Sequence, residues 1–146
     1  MPTPSEETVL AFTWTIDRRD WEAYRALFRD EVDIHYPDDQ PGLPRGTIPA
    51  DDWARGAQHT FDRFPATHHH LVVVKVEERG DEATVWSNCV ARHYDPEGLG
   101  DARFDQFMHY RHELKRDADG WFIAAIRAYI PFDEGNALFF VPEDKN

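Results

Sequence analysis

The feature that most constrains this chain is a change of period at Pro65. Before it, apolar residues recur at helical spacing in "TPSEETVLAFTWTID", "RRDWEAYRALF" and "IPADDWARGAQHTFDRF". After it, "HHLVVVKVEE", "EATVWSNCVARHY", "RFDQFMHYRHELKR" and "GWFIAAIRAYI" read as long strands, and "RGD" and "DADG" are turn sequences that make hairpins of them. One further strand, "VDIHYP", ends at Pro37 and is followed by the turn-rich loop "DDQPGLPRG". Helices first and a strand meander afterwards specify an α+β domain, a curved antiparallel sheet with the N-terminal helices on one face. Thr3 is expected to cap the first helix, with Pro4 in its first turn and Glu6 completing a capping box. Asp20 caps the second helix, and Pro65 stops the third. The tail "PFDEGNALFF" is placed to fold back over the open end of the sheet.

A chain of 146 residues, 41% of them hydrophobic and 14% aromatic, supports one domain over 1–146 with a core of its own. The net charge of −12 repels a phosphate backbone, so nucleic acid is not an expected partner. No apolar run reaches the length of a membrane span, and "MPTPSEETV" lacks the basic start and apolar stretch of a signal peptide. A single cysteine, Cys89, excludes an internal disulfide and suits a reducing cytoplasm, the expected location.

Residues 66–71, "ATHHHL", raise the functional question. Side chains alternate across a strand, so His69, Leu71, Val73 and Lys75 are expected on one face and His70, Val72, Val74 and Val76 on the other. Three consecutive histidines in a strand cannot all reach one metal ion, so the run is a poor metal motif. With the turn centred near Gly80 and Asp81, the residue opposite His69 is close to Ala91, and His93 lies a short step away. If the register puts them on one face, the two imidazoles meet. Ala91, Cys89, Ser87 and Val85 alternate with His93, and such small residues leave space on a concave face. His112 alternates with Tyr110 and Met108 and is a further candidate for that face. Arg127 is placed at the surface, because an inward arginine needs a carboxylate partner. The apolar stripe of Val72, Val74 and Val76 predicts a covering subunit, hence a homodimer or homotrimer.

The order of helix, "DRRDWEAYRALF", strand, helix, "THHHL" and a sheet ending in "DGW" resembles the SnoaL-like branch of the nuclear-transport-factor-2-like superfamily, and within it scytalone dehydratase. The resemblance covers about Thr8 to Phe140. It implies a cone-shaped barrel around a deep apolar pocket, closed by a C-terminal lid. "IDRRDW" puts Asp17 at the family's catalytic aspartate, "DIHY" puts Tyr36 at its active-site tyrosine, "THH" puts His69 at its catalytic histidine, and "VARH" puts His93 at its second histidine. Tyr110 stands where the family has an asparagine, and Ile16 where the dehydratase has a second tyrosine. Half of that enzyme's two-tyrosine water clamp is thus absent, which implies a differently held substrate.

The implied reaction is cofactor-free loss of water from a hydrophobic hydroxy-carbonyl compound of polyketide, terpenoid or steroid type. His69 serves as base, oriented by Asp17; Tyr36 donates to the enolate oxygen; and His93 positions or protonates the leaving hydroxyl. Ile16, Trp14, Cys89, Met108, Tyr110, His112, Phe139 and Phe140 are the expected pocket wall, with Phe139 and Phe140 in the lid. No metal is expected, although His69, His93 and Asp17 also make the two-histidine, one-carboxylate set of non-haem iron sites. Two other readings use the same pocket: an isomerase or cyclase, and a non-catalytic module for an apolar ligand.

Overall fold

The computed structural model describes residues 1–37 and 45–140, the Phe140 side chain excepted. Helix α1 (Pro4–Asp17) begins as its sequence dictates, with the Thr3 side chain accepting the Glu6 N–H at the cap. Helix α2 is only Trp21–Arg25, capped by Asp20, whose carboxylate accepts the Ala23 N–H. Strand β1 (Glu31–His35) follows. The loop "DDQPGLPRG" lies almost wholly outside the described residues. Its end brings the first difference from expectation. Gly46–Pro49 form a strand, β2, antiparallel to β1, so helix α3 starts at Ala50 rather than at Ile48 and ends at Phe61. A four-residue edge strand is too short for its alternation to be read, and its pairing with β1 is what makes it a strand.

The long strands are β3 (Ala66–Arg79), β4 (Glu82–Tyr94), β5 (Arg103–Asp117) and β6 (Gly120–Gly135). The six strands lie in the order β2-β1-β6-β5-β4-β3, with β1 parallel to β6 and the other pairs antiparallel. Helix α1 packs across the inner face against β3, β4 and β6. Its Phe12 and Ile16 join Val32, Ile34, Val85, Leu114 and Ile126 in the core.

The hairpin turns between Arg79 and Glu82, so His69 pairs with Ala91 and Thr67 with His93. One β-bulge corrects the expected faces. Val73 pairs with Ser87 but Lys75 pairs with Trp86, which leaves Val74 as the extra residue. Beyond it the alternation inverts. Lys75 turns outward over the Trp86 ring, 4.8 Å from its centroid, and Val76 turns inward onto the core. The uncovered stripe is therefore Val72 and Val74, 62% and 57% exposed, without Val76. Arg127 is not simply at the surface either: it is partly buried and pairs with Asp33 at 3.4 Å.

The tail also differs from expectation. Residues 131–135 continue β6, and only Ala137–Phe140 leave the sheet, as a short 3-10 turn. Asn136 makes the corner. Its Nδ2 donates to the Leu99 and Asp101 carbonyls and its Oδ1 accepts the Leu138 N–H. Phe139 then stacks on Phe64, with ring centroids 5.4 Å apart. Gly135 permits the corner with φ at 101°, and a Cβ there would collide with the Arg103 carbonyl. Gly135→Ala is expected to cost about 2 kcal/mol, lowering the melting temperature by roughly 4–8 °C. Differential scanning calorimetry checks this.

Candidate active site

Asp17 is the last residue of α1, and its carboxylate meets the start of β3 three times. Oδ2 accepts the His69 backbone N–H at 2.7 Å. Oδ1 accepts the Thr67 hydroxyl at 2.9 Å and lies 2.6 Å from His69 Nδ1. Burial raises the Asp17 pKa, but the His69 ring bond and charge, the backbone N–H and the Thr67 hydroxyl together bring it below the ordinary 3.8. A carboxylate can only accept, so His69 carries a proton on Nδ1, and the neutral ring is the tautomer that presents Nε2 as a lone pair. The His69 side chain is 4% exposed, and Phe61 packs edge-on to it at 5.8 Å. This is the orientation expected of His69, and neighbouring His68 and His70 turn to the other face, their rings 4.4 Å apart.

His93 lies on the His69 face, with ring centroids 6.4 Å apart. It is 2% exposed and ringed by Phe61, Phe64 and Phe104. Burial pushes its pKa from 6.5 down to about 4, against the opposing effect of its bond to the Phe104 carbonyl. Nδ1 sits 2.9 Å from that carbonyl and must be the donor. Of the two roles expected for His93, positioning or protonating a leaving hydroxyl, a neutral ring with Nδ1 as donor favours positioning, with Nε2 as a hydrogen-bond acceptor.

Deeper along the inner face stand phenols. Tyr36, just beyond β1, is partly buried against Trp53, with rings 6.1 Å apart. Burial pushes its hydroxyl up to about 12, opposed by a hydrogen bond from Tyr110. Tyr110, on β5, also lies 3.4 Å from the Met108 sulfur. Cys89 connects the two ends of the site: burial and then the Asp17 charge push its thiol up to about 12, and it in turn influences Tyr36. Ile16 is a core residue, 3% exposed.

Three expected pocket residues have distinct surroundings. His112 does point inward, but it is fully buried and edge-on to Phe12 at 4.9 Å. Neither of its nitrogens has a hydrogen-bond partner among the described residues, and burial pushes its pKa down to about 3. Trp14 is 59% exposed, with the Arg18 guanidinium 3.9 Å over its ring. It lines a crevice of about 670 Å³ between α1 and β3, with Leu10, Leu71, Asp17 and His69 also in the wall. Phe139 belongs to a small cluster with Phe64 and Phe104, two of the rings around His93. The Phe140 side chain is outside the described residues. Among the described residues no cluster of three or more His, Cys, Asp or Glu is arranged to hold a metal. No described helix is long and apolar enough to cross a membrane.

Sequence reasoning missed Thr67 and Phe61, and it had no signal for Arg19. Thr67 stood in the quoted "THH" but was given no task. Phe61 sits at the end of α3, where its helical phase alone says nothing about the two imidazoles it touches.

The SnoaL-like domain family matches residues 6–127, and the chain belongs to it. Among solved structures, the Kfla4162 protein of Kribbella flavida is similar at 26% identity and TM-score 0.79, with 88% of each chain covered. A candidate scytalone dehydratase from Novosphingobium aromaticivorans is similar at 16% identity and TM-score 0.75, over 90% of this chain and 84% of that one. A hexachlorocyclohexane dehydrochlorinase from Novosphingobium barchaimii follows at 15% identity and TM-score 0.70, over 93% and 90%. The last two likenesses establish the fold. No curated protein matches the sequence.

Acid should unfold the protein through its two buried imidazoles. The unfolded chain takes up protons on His93 and His112 near the ordinary 6.5, the folded chain only near 4 and 3. Between those values the unfolded state binds more protons, so stability is full above pH 6.5 and is lost as pH falls. The expected slope is roughly 1 kcal/mol per pH unit for each histidine. His112→Leu should remove about half of that slope without weakening the fold at pH 7, since it replaces an unpartnered polar group. Urea unfolding from pH 4 to 8 measures both.

Proposed function

We propose that the protein is a cofactor-free lyase that removes water from a hydrophobic hydroxy-carbonyl substrate. The observation that carries this is the 2.6 Å contact between Asp17 and a His69 ring that is almost wholly enclosed. His69 Nε2 takes the proton α to the carbonyl, and Asp17 stabilises the imidazolium that forms. The electron pair moves to the carbonyl oxygen, where Tyr36 donates, supported by the Tyr110 phenol hydrogen-bonded to it. Tyr110 thus stands beside Tyr36 as a second phenol, a place that Ile16 cannot fill. The C–O bond then breaks, and the departing hydroxyl recovers the proton from His69. His93 accepts a hydrogen bond from that hydroxyl and orients it. The substrate class is a polyketide, terpenoid or steroid-like ketone.

One observation favours an isomerase or cyclase instead. A neutral His93 cannot protonate a leaving group, and an isomerase needs none. Both readings require exchange of the α-proton. In D₂O, deuterium should enter the α-position of a ketone ligand, and only a β-hydroxy ketone should also gain enone absorbance. No exchange with any ketone that binds leaves the non-catalytic binding module.

Asp17→Asn is expected to keep the fold and lower kcat by about 10²–10⁴. Tyr36→Phe should cost about 10². His68→Ala and His70→Ala should keep most of the activity, because both rings face away from the dyad. Steady-state kinetics on the ketone identified above tests all four.

We also propose that a second copy covers the outer sheet face. Val72, Val74, Tyr129 and Phe132 are each more than half exposed there, and apolar side chains grouped on one face mark a contact surface. Val72→Lys should shift the assembly toward monomer by light scattering at micromolar concentration. A wild-type monomer under those conditions excludes the idea.

A further inference from the structure

Arg19 is the one non-glycine residue with positive φ, 57°, among the described residues. It follows the α1 C-cap, Arg18, at a position where glycine is the low-strain choice. Its guanidinium turns back into the fold. Nη1 donates to the Ile16 carbonyl and to the Thr67 hydroxyl, both at 2.7 Å. Nη2 donates to the Phe64 carbonyl at 3.1 Å, and Nε lies 3.8 Å from Asp62. A guanidinium has no acceptor, so the Thr67 oxygen must accept from Arg19. The single hydroxyl proton is left for Asp17, at 2.9 Å.

We propose that Arg19 and Thr67 are positioning residues for the dyad. Arg19 orients the Thr67 hydroxyl, and that hydroxyl holds the Asp17 carboxylate against His69. The chain runs Arg19, Thr67, Asp17, His69 with every proton direction determined. It explains why an arginine occupies a left-handed position: its side chain spans the end of α1, the end of the α3–β3 connection and the start of β3 at once. It also explains why the carboxylate cannot rotate. Oδ1 is held by the hydroxyl and the ring, and Oδ2 by the His69 backbone N–H. The ionisable groups around that carboxylate are Arg19 after α1, His69 on β3, and Cys89 and His93 on β4.

The inference rests on the reading of His69 as base, but its test needs no turnover. The probe is the ligand-free protein labelled with ¹³C-aspartate and ¹⁵N-histidine, titrated by NMR. Thr67→Val should raise the Asp17 carboxyl midpoint by about half a unit or more, since a donor to the charged form is lost. It should also populate the His69 tautomer with the proton on Nε2. Thr67→Ser should restore the wild-type values. Arg19→Gly relieves the backbone strain, so it keeps the protein folded if Thr67→Val does not; it too should raise the Asp17 midpoint. Thr67→Val should then matter less in the Arg19→Gly background than alone. Wild-type Asp17 and His69 signals in folded Arg19→Gly or Thr67→Val overturn the proposal, as does Thr67→Ser behaving like Thr67→Val. If the chain behaves as stated while Asp17→Asn leaves proton exchange intact, the catalytic reading fails and the positioning chain stands.

Discussion

The contact on which the rest of the site depends is the carboxylate of Asp17 against the first residues of β3. It joins the end of the first helix to a strand about fifty residues later, by one hydroxyl, one ring N–H and one backbone N–H. Hydrogen bonds to a charged group contribute about 1.5–3 kcal/mol each, so three at one side chain anchor α1 strongly at that end. The same contact sets the His69 tautomer. A shift of α1 along the sheet would therefore change both packing and the position of the lone pair. Structure and proposed chemistry meet in one interaction, because a helix terminus was placed where a strand begins.

Around that anchor the inner face is built from polar groups that burial keeps uncharged. His93 and His112 are driven toward the neutral imidazole, and the Tyr36 phenol and Cys89 thiol toward the protonated form. Asp17 alone among them is carried toward its charged form, and it is the one with three donors. That asymmetry suits the proposed proton abstraction: one fixed charge lies next to the His69 ring, among groups whose burial strengthens each hydrogen bond. The cost appears elsewhere. Among the described residues, Ser87 Oγ and both His112 nitrogens are buried without partners. A core that tolerates such groups is sensitive to acid, and the closing turn at Asn136 and Phe139 helps keep it dry by packing on the rings around His93.

Much of this was readable in the chain. The change of period at Pro65, the caps at Thr3 and Asp20, and the hairpin at Gly80 and Asp81 are local effects, and each is where local chemistry puts it. Because the hairpin turn was legible, so was the pairing that brings His69 and His93 to one face. The misreadings occurred where a neighbour distant in sequence decides. Gly46–Pro49 are a strand because β1 is beside them. Val74 is the extra residue of a bulge in the pairing of β3 with β4, and the residues after it change face. Residues 131–135 stay in the sheet because β5 offers them partners.

By itself, then, the sequence determined the α+β order and the family, and it singled out Asp17, Tyr36, His69 and His93 as candidates, since period, turns and motif spacing belong to neighbouring residues. Only the tertiary structure decided how those residues are charged and linked. His93 is pushed toward its neutral form because three phenylalanines from different elements enclose it. Tyr110 stands beside Tyr36 because β5 and β1 both face α1 and α3 across the same core. Arg19 reaches Thr67 because a backbone in the left-handed region turns it there. Protonation and hydrogen-bond direction depend on the atoms within a few ångströms of a group, and in a fold most of those come from elsewhere in the chain.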